Sequence, residues 1–174
     1  MANFQAPRGL SPVGTLTGAA LNEQGRLYCI QATDSGNSYA IGDIVMSASG
    51  SDANGVPYVT KYAVGSGQPL GIVVGIRVAD PGISLQGNTI PLEKVYLTNG
   101  TAANRYVYVV DDPNVIFQVQ FDATGVTQAN LHKNASLTIT ADASSGLSMS
   151  SPLSSTVATT AATTNTLPLS LIHI

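Results

Sequence analysis

The chain has 174 residues, of which only 10% are charged, with seven Lys and Arg against ten Asp and Glu and a formal net charge of −3; a typical soluble domain has ~25% charged residues. With 44% hydrophobic residues, it is not a charged, apolar-poor disordered chain, and its scattered single cations form no basic stripe for nucleic acid. The single Cys excludes an intrachain disulfide framework and a Cys-based zinc cluster, and no apolar run reaches the ~20 residues of a membrane span. The start, Met1-Ala-Asn-Phe-Gln-Ala-Pro-Arg8, lacks the basic and then apolar regions of a secretory signal.

Residues 1–24 read as an extended amino-terminal arm. Pro7, Gly9, Pro12, Gly14 and Gly18 break every helical or strand period, while Phe4, Leu10, Val13, Leu16 and Leu21 recur as apolar anchors. Proline lacks a backbone donor and fixes φ, which favours an extended, poorly self-paired chain. Such anchors have two destinations, this subunit's own body or a neighbour.

Residues 25–141 read as the folded domain. Arg26-Leu-Tyr-Cys-Ile-Gln-Ala32 is strand-like and stops at the turn cluster Thr33-Asp-Ser-Gly-Asn-Ser38. Tyr39-Ala-Ile-Gly-Asp-Ile-Val-Met46 follows, with Gly42-Asp43 predicted as a bend or bulge. Residues 47–55 read as a polar loop. In Val56–Ala63, Tyr58, Thr60 and Tyr62 share a face, and Pro57 points to an edge or to the first residue of a strand. From Leu70 to Val78, period two places Leu70, Ile72, Val74, Ile76 and Val78 on a core face, with Gly71, Val73, Gly75 and Arg77 opposite. The two glycines there predict close approach of another strand or of the arm.

Arg105–Val110 and Val115–Phe121 read as strands joined by Asp111-Asp-Pro-Asn114, the second with Val115, Phe117, Val119 and Phe121 on its apolar face. Thr127–Lys133 is the one short helix expected, with Thr127 as its cap. Ser136–Ala141 alternates again. About eight strands without long amphipathic helices predict an all-β fold, a small antiparallel β-barrel or sandwich.

Residues 142–174 form a Ser/Thr-rich extension, read as an extended ribbon lying on a sheet because its Thr, Leu147, Leu153 and Val157 suit strands. Its last six residues, Leu169-Ser-Leu-Ile-His-Ile174, are the translation of CTG TCT CTT ATA CAC ATC, a transposase end used in preparing sequencing libraries. They are expected to be adapter readthrough from a truncated gene, which would leave a native carboxyl-terminal strand missing.

Catalytic chemistry has little material. With two His and two Glu in the chain, a nucleophile has few bases within hydrogen-bond reach. His132 reads as an exposed loop or helix-end residue and Cys29 as a buried, inert thiol. Asp34, Asp52, Asp80, Asp111, Asp112 and Asp122 sit in turn sequences, where Asp bonds its local backbone. Asp111, Asp112 and Asn114 offer oxygen ligands, but their spacing matches no EF-hand loop. The glycines make no nucleotide-binding fingerprint. No catalytic residue, metal site or cofactor is expected.

Taken in order, Ala6-Pro-Arg-Gly-Leu-Ser-Pro-Val13, Tyr39–Val45, Pro69-Leu-Gly-Ile-Val-Val-Gly75, Tyr106–Phe117 and the Ser/Thr-rich run ending Thr166-Leu-Pro-Leu169 resemble a group of small structural proteins of tailed bacteriophages. These are encoded near the major capsid protein and serve as head decoration or cement proteins. The resemblance implies a non-enzymatic protein, made in the host bacterial cytoplasm, that sits on the virion's capsid surface with the major capsid protein as partner and is compatible with trimers. It involves no nucleic acid and no membrane. Phe4, Arg8 and Leu10 on the arm are the candidate capsid contacts. Two other readings remain open. A head-fibre or tail-associated adhesin would stack host carbohydrate on Tyr58, Tyr62, Tyr106 and Tyr108; a small β-barrel hydrolase lacks a nucleophile–base pair.

Overall fold

A computed structural model describes residues 9–21, 25–63, 65–77, 96–97, 105–120, 129, 131–138, 157–162 and 169–170. Its strands are β1 (Ser11–Thr15), β2 (Arg26–Ile30), β3 (Tyr39–Ala40), β4 (Ile44–Ser51), β5 (Pro57–Lys61), β6 (Gly71–Arg77), β7 (Tyr96–Leu97), β8 (Tyr106–Val110), β9 (Val115–Gln118), β10 (Asn134–Thr138), β11 (Val157–Ala162) and β12 (Leu169–Ser170). The fold is all-β. Of the expected Thr127–Lys133 helix, residues 127, 128 and 130 lie outside the described residues; of the rest, Leu131 and His132 form a turn, with His132 exposed at φ 60°.

Five strands hydrogen-bond in a closed ring, β2-β5-β4-β6-β8. Every ladder in the ring is antiparallel except β2–β5, where Cys29 faces Tyr58 and Ile30 faces Val59 in parallel. Parallel neighbours need a long connection, here the whole of β3 and β4 rather than a helix. Pro57 is the first residue of β5, where a missing N–H is tolerated. Two short sheets pair β3 with β7 and β1 with β9, and a third has the order β11-β10-β12.

Two boundaries depart from the sequence expectation. The polar run 47–51 continues β4, because Ser47 and Ser51 pair with Val59 and Pro57 across the hairpin. The loop shrinks to a tight turn closed by Gly55 N–H donating to the Asp52 carbonyl (3.1 Å) and Asp52 N–H donating to Val56 (3.0 Å). Gly55 takes φ 80° there, the left-handed position of a three-residue hairpin loop. The second departure is β9, which follows β8 after residues 111–114 as predicted but pairs with β1.

The interior follows from the register. Val73 pairs with Val109, but Gly75 pairs with Tyr108 and Ile76 with Val107, so Val74 is an extra residue in β6. This β-bulge reverses which side chains face inward. Val73 before it and Ile76 after it join Ile30, Tyr39, Val45, Val59, Val107 and Val109 in the inner core, with Tyr28 and Leu70 against them. The single apolar face expected from Leu70 to Val78 is thus divided, with Ile72 in a second core and Leu70 and Ile76 against the inner one; Val78 lies outside the described residues.

Gly71 explains how the ring closes. A Cβ on it would lie 2.2 Å from the Val110 carbonyl oxygen and 2.8 Å from Val109 Cγ1, so the β8 backbone occupies the space a side chain would need. That is the close strand approach expected from the glycines of this segment.

A second core lies on the outer face of the same strands. Ile44 and Ile72 are cross-strand partners with the opposite parity to Val45 and Val73. They pack with Leu10, Tyr62 and Leu137, and Met46, Phe117 and Val119 lie against them. The segment leading into β1, the β9 region and β10 therefore close over β4 and β6.

Candidate functional site

The densest chemistry plugs one end of the barrel. Val59 faces inward on β5, so by strand alternation Lys61 does too. Its Nζ lies 3.0 Å from Asp43 Oδ2, with both side chains largely out of solvent. It also donates to the Ser38 carbonyl at 2.9 Å. Asp43 sits in the turn between β3 and β4, where Gly42 takes φ 93°, and its Oδ2 accepts the Ala40 N–H at 2.9 Å. Across the plug, Arg105 donates to the carbonyls of Asp34 (2.9 Å) and Asn37 (3.2 Å). The Lys61 and Arg105 cations lie 5.9 and 5.8 Å from the centre of the Tyr39 ring, within cation–π range.

Asp34 ties the loop of residues 31–38 to this plug. Its carboxylate accepts the Tyr39 hydroxyl, the Asn37 side-chain amide and, at 2.9 Å, the Lys61 N–H. Burial pushes the Tyr39 hydroxyl far above its ordinary value, and the Asp34 hydrogen bond and charge add to the shift. Tyr39 is therefore a fixed donor, not a base.

The same device recurs twice. On β2, Tyr28 donates to Asp111 Oδ2 at 2.7 Å, and Arg26 reaches the same oxygen at 3.3 Å. Burial raises Tyr28, and its bond to Asp111 raises it further. On β8, the buried Tyr106 donates to Asp52 in the β4–β5 turn. Asp52 also accepts the N–H groups of Val56 (2.7 Å) and Asn54 (2.9 Å). The Tyr106 bond, opposed by desolvation and aided by these backbone donors, holds Asp52 below the usual carboxylate range.

Asp34, Asp52, Asp111 and Asp112 do sit in turns, as the sequence implied. Asp112 makes the expected local bonds, to Asn114 N–H at 2.8 Å and to its side-chain amide at 3.0 Å. What sequence reading missed is that three of these carboxylates also receive a strand tyrosine. Nothing in the local pattern signals the Tyr106–Asp52 and Tyr28–Asp111 bonds, because those partners lie 54 and 83 residues apart. Among the described residues, no three His, Cys, Asp or Glu side chains are grouped to hold a metal.

Leu10 is buried in the outer core of its own chain; Phe4 and Arg8 lie outside the described residues. That corrects the expectation that Leu10 presents its side chain to a shell partner, because the outer face of β4 and β6 takes it up. The exposed large hydrophobics among the described residues are instead Val13 (54%) and Leu16 (58%). Val13 is the unpaired residue of a bulge in β1, between Pro12↔Phe117 and Gly14↔Ile116, and the irregularity leaves its side chain outside the packing. Of the tyrosines considered for sugar stacking, Tyr62 and Tyr106 are buried. Tyr58 and Tyr108 are half-buried, with rings over Gly50 and Gly75. Cys29 is buried, as expected.

No protein-family model matches this chain, and neither do any curated proteins or solved structures.

Proposed function

We propose that this protein is a non-enzymatic structural component of a tailed-bacteriophage virion, a decoration or cement protein that binds the outside of the assembled capsid shell and stabilises it. The body is a small barrel with an amino-terminal arm and a Ser/Thr-rich ribbon as its reaching parts. The observation that carries this reading is the segment 9–21. It has no charged side chain, runs along the outside of the barrel through its pairing with β9, and displays Val13 and Leu16 to solvent. An uncharged surface suits a wide contact, since no buried charge has to lose its water. Pro12 and the bulge at Val13 blunt the strand edge, which favours contact through side chains over addition of a further strand.

Such a protein acts by binding the assembled shell more tightly than free capsid subunits, and that difference stabilises the shell by linkage. The partner is the major capsid protein, and a trimeric arrangement is compatible with this role. The burial of Tyr62 and Tyr106 leaves less aromatic surface for the competing carbohydrate adhesin.

The test is occupancy on purified capsids, measured by co-sedimentation. Deleting residues 1–20 would confuse the result, because Leu10 belongs to the core. The double substitution Val13→Ser with Leu16→Ser avoids this and is expected to lower occupancy at least tenfold while leaving the melting temperature within about a degree or two. Full occupancy by a folded double variant would remove the segment's role; failure of the wild-type chain to bind any capsid would reject the function.

A further inference from the structure

We propose that Lys61 and Asp43 condense into an intramolecular amide that covalently locks β5 to the β3–β4 turn. The inference rests on the barrel plug alone and is independent of the capsid reading. Four features of the site support it.

The reacting groups are already in contact, with Nζ 3.0 Å from Oδ2 and both side chains nearly out of solvent. The Ala40 N–H donates to that same oxygen at 2.9 Å, so Oδ2 sits where a developing negative charge would be stabilised. Lys61 is held at both ends, its amine on the Ser38 carbonyl and its backbone N–H on Asp34, each at 2.9 Å. The Tyr39 ring, buried and fixed through its hydroxyl to Asp34, lies beside the amine.

The reaction balances without another reagent. A proton passes from the ammonium to the carboxylate, giving neutral amine and carboxylic acid. The Nζ lone pair attacks Cγ, the Cγ–Oδ1 bond breaks, and Oδ1 leaves as water with a second proton from nitrogen. Oδ2 remains as the amide carbonyl on the Ala40 N–H. One positive and one negative charge disappear and one water is released. In bulk water, hydration of both ions and the competing solvent oppose this step. Out of water the separated charges lose that advantage, and a fixed pair can reach effective molarities on the order of 10⁵ M or more.

Intact-mass measurement on the purified full chain decides the matter, freshly prepared and after prolonged incubation. The expected result is a deficit of one water, about 18 Da, relative to the sequence mass. Trypsin should then fail to cut after Lys61, giving a 27–77 peptide without backbone fragments between Asp43 and Lys61. The Lys61→Arg chain keeps a cation but has no amine to condense, and should show its full sequence mass. A wild-type chain at full mass after incubation overturns the proposal. So does a water deficit that leaves Lys61 open to trypsin, since that places the loss elsewhere, for example in a succinimide. The wild-type readings suffice if the arginine variant does not fold.

Discussion

The inner and outer cores share β4 and β6 but are assembled differently. The inner one is mostly valine, gathered from neighbouring strands between Tyr28 and Val109 and sealed at one end by the Lys61–Asp43 plug. The outer one joins Leu10, Ile44, Tyr62, Ile72 and Leu137 from widely separated parts of the chain. Ring closure gives each of β2, β4, β5, β6 and β8 two hydrogen-bonded neighbours, whereas β1 and β9 have only each other. The barrel is therefore the body that holds itself together, and the outer core is what fastens the terminal segments to it. Local opening selects regions with fewer buried contacts and more exposed backbone bonds, so the β1–β9 layer should open first.

The largest effect expected is at the plug. Asp43→Ala leaves Lys61 buried opposite no carboxylate and removes the acceptor of the Ala40 N–H, so chemical denaturation should show a loss of about 3–5 kcal/mol. A much smaller loss would mean that the barrel end admits water and that the inner region is not the sealed one.

Next comes the outer core itself. Leu10→Ala should destabilise by about 2 kcal/mol, the low end for a buried leucine, because the site can relax toward solvent. Amide exchange should accelerate in β1 and β9 while β2, β6 and β8 keep their protection. Uniform acceleration across both regions would show that the two cores unfold as one unit.

The smallest effect belongs to the Tyr106–Asp52 bond at the hairpin tip. Asp52 is depressed in the folded chain, so its contribution is complete above its ordinary value of 3.8 and fades as pH falls through the lower folded value. Melting curves taken from about pH 5 downward should show a part of the acid destabilisation that Asp52→Asn lacks. Identical pH slopes for the two proteins would show that the tip adds nothing to the barrel.

Much of the strand pattern was readable from local sequence. The turn cluster at 111–114 separated β8 from β9 and that at 33–38 preceded β3, although β2 stops at Ile30 and not at the expected Ala32; Gly42-Asp43 broke the β3–β4 run, and the apolar parity of Phe117 and Val119 was correct. The Ser/Thr-rich run was read as an extended ribbon, and Val157–Ala162 within it pairs with β10. These features depend on neighbours a few residues away: φ at glycine and proline, side-chain bonds of Asp, and alternation along one strand.

What only the tertiary structure decided are the relations across distance. The bulge at Val74 exchanged faces because β8 sets the register, and β9 left β8 for β1 because the outer surface of β4 and β6 needed covering. Tyr28 and Tyr106 looked like strand aromatics, yet each ends on a loop carboxylate brought near by the pairing of distant strands. Lys61 and Asp43 form an opposed buried pair because the β4–β5 register sets Lys61 across from Val45, beside the turn that carries Asp43. Composition and period fix what each segment prefers to be, but pairing partners are chosen by which surfaces remain to be buried once the ring has closed, and that is a property of the whole chain.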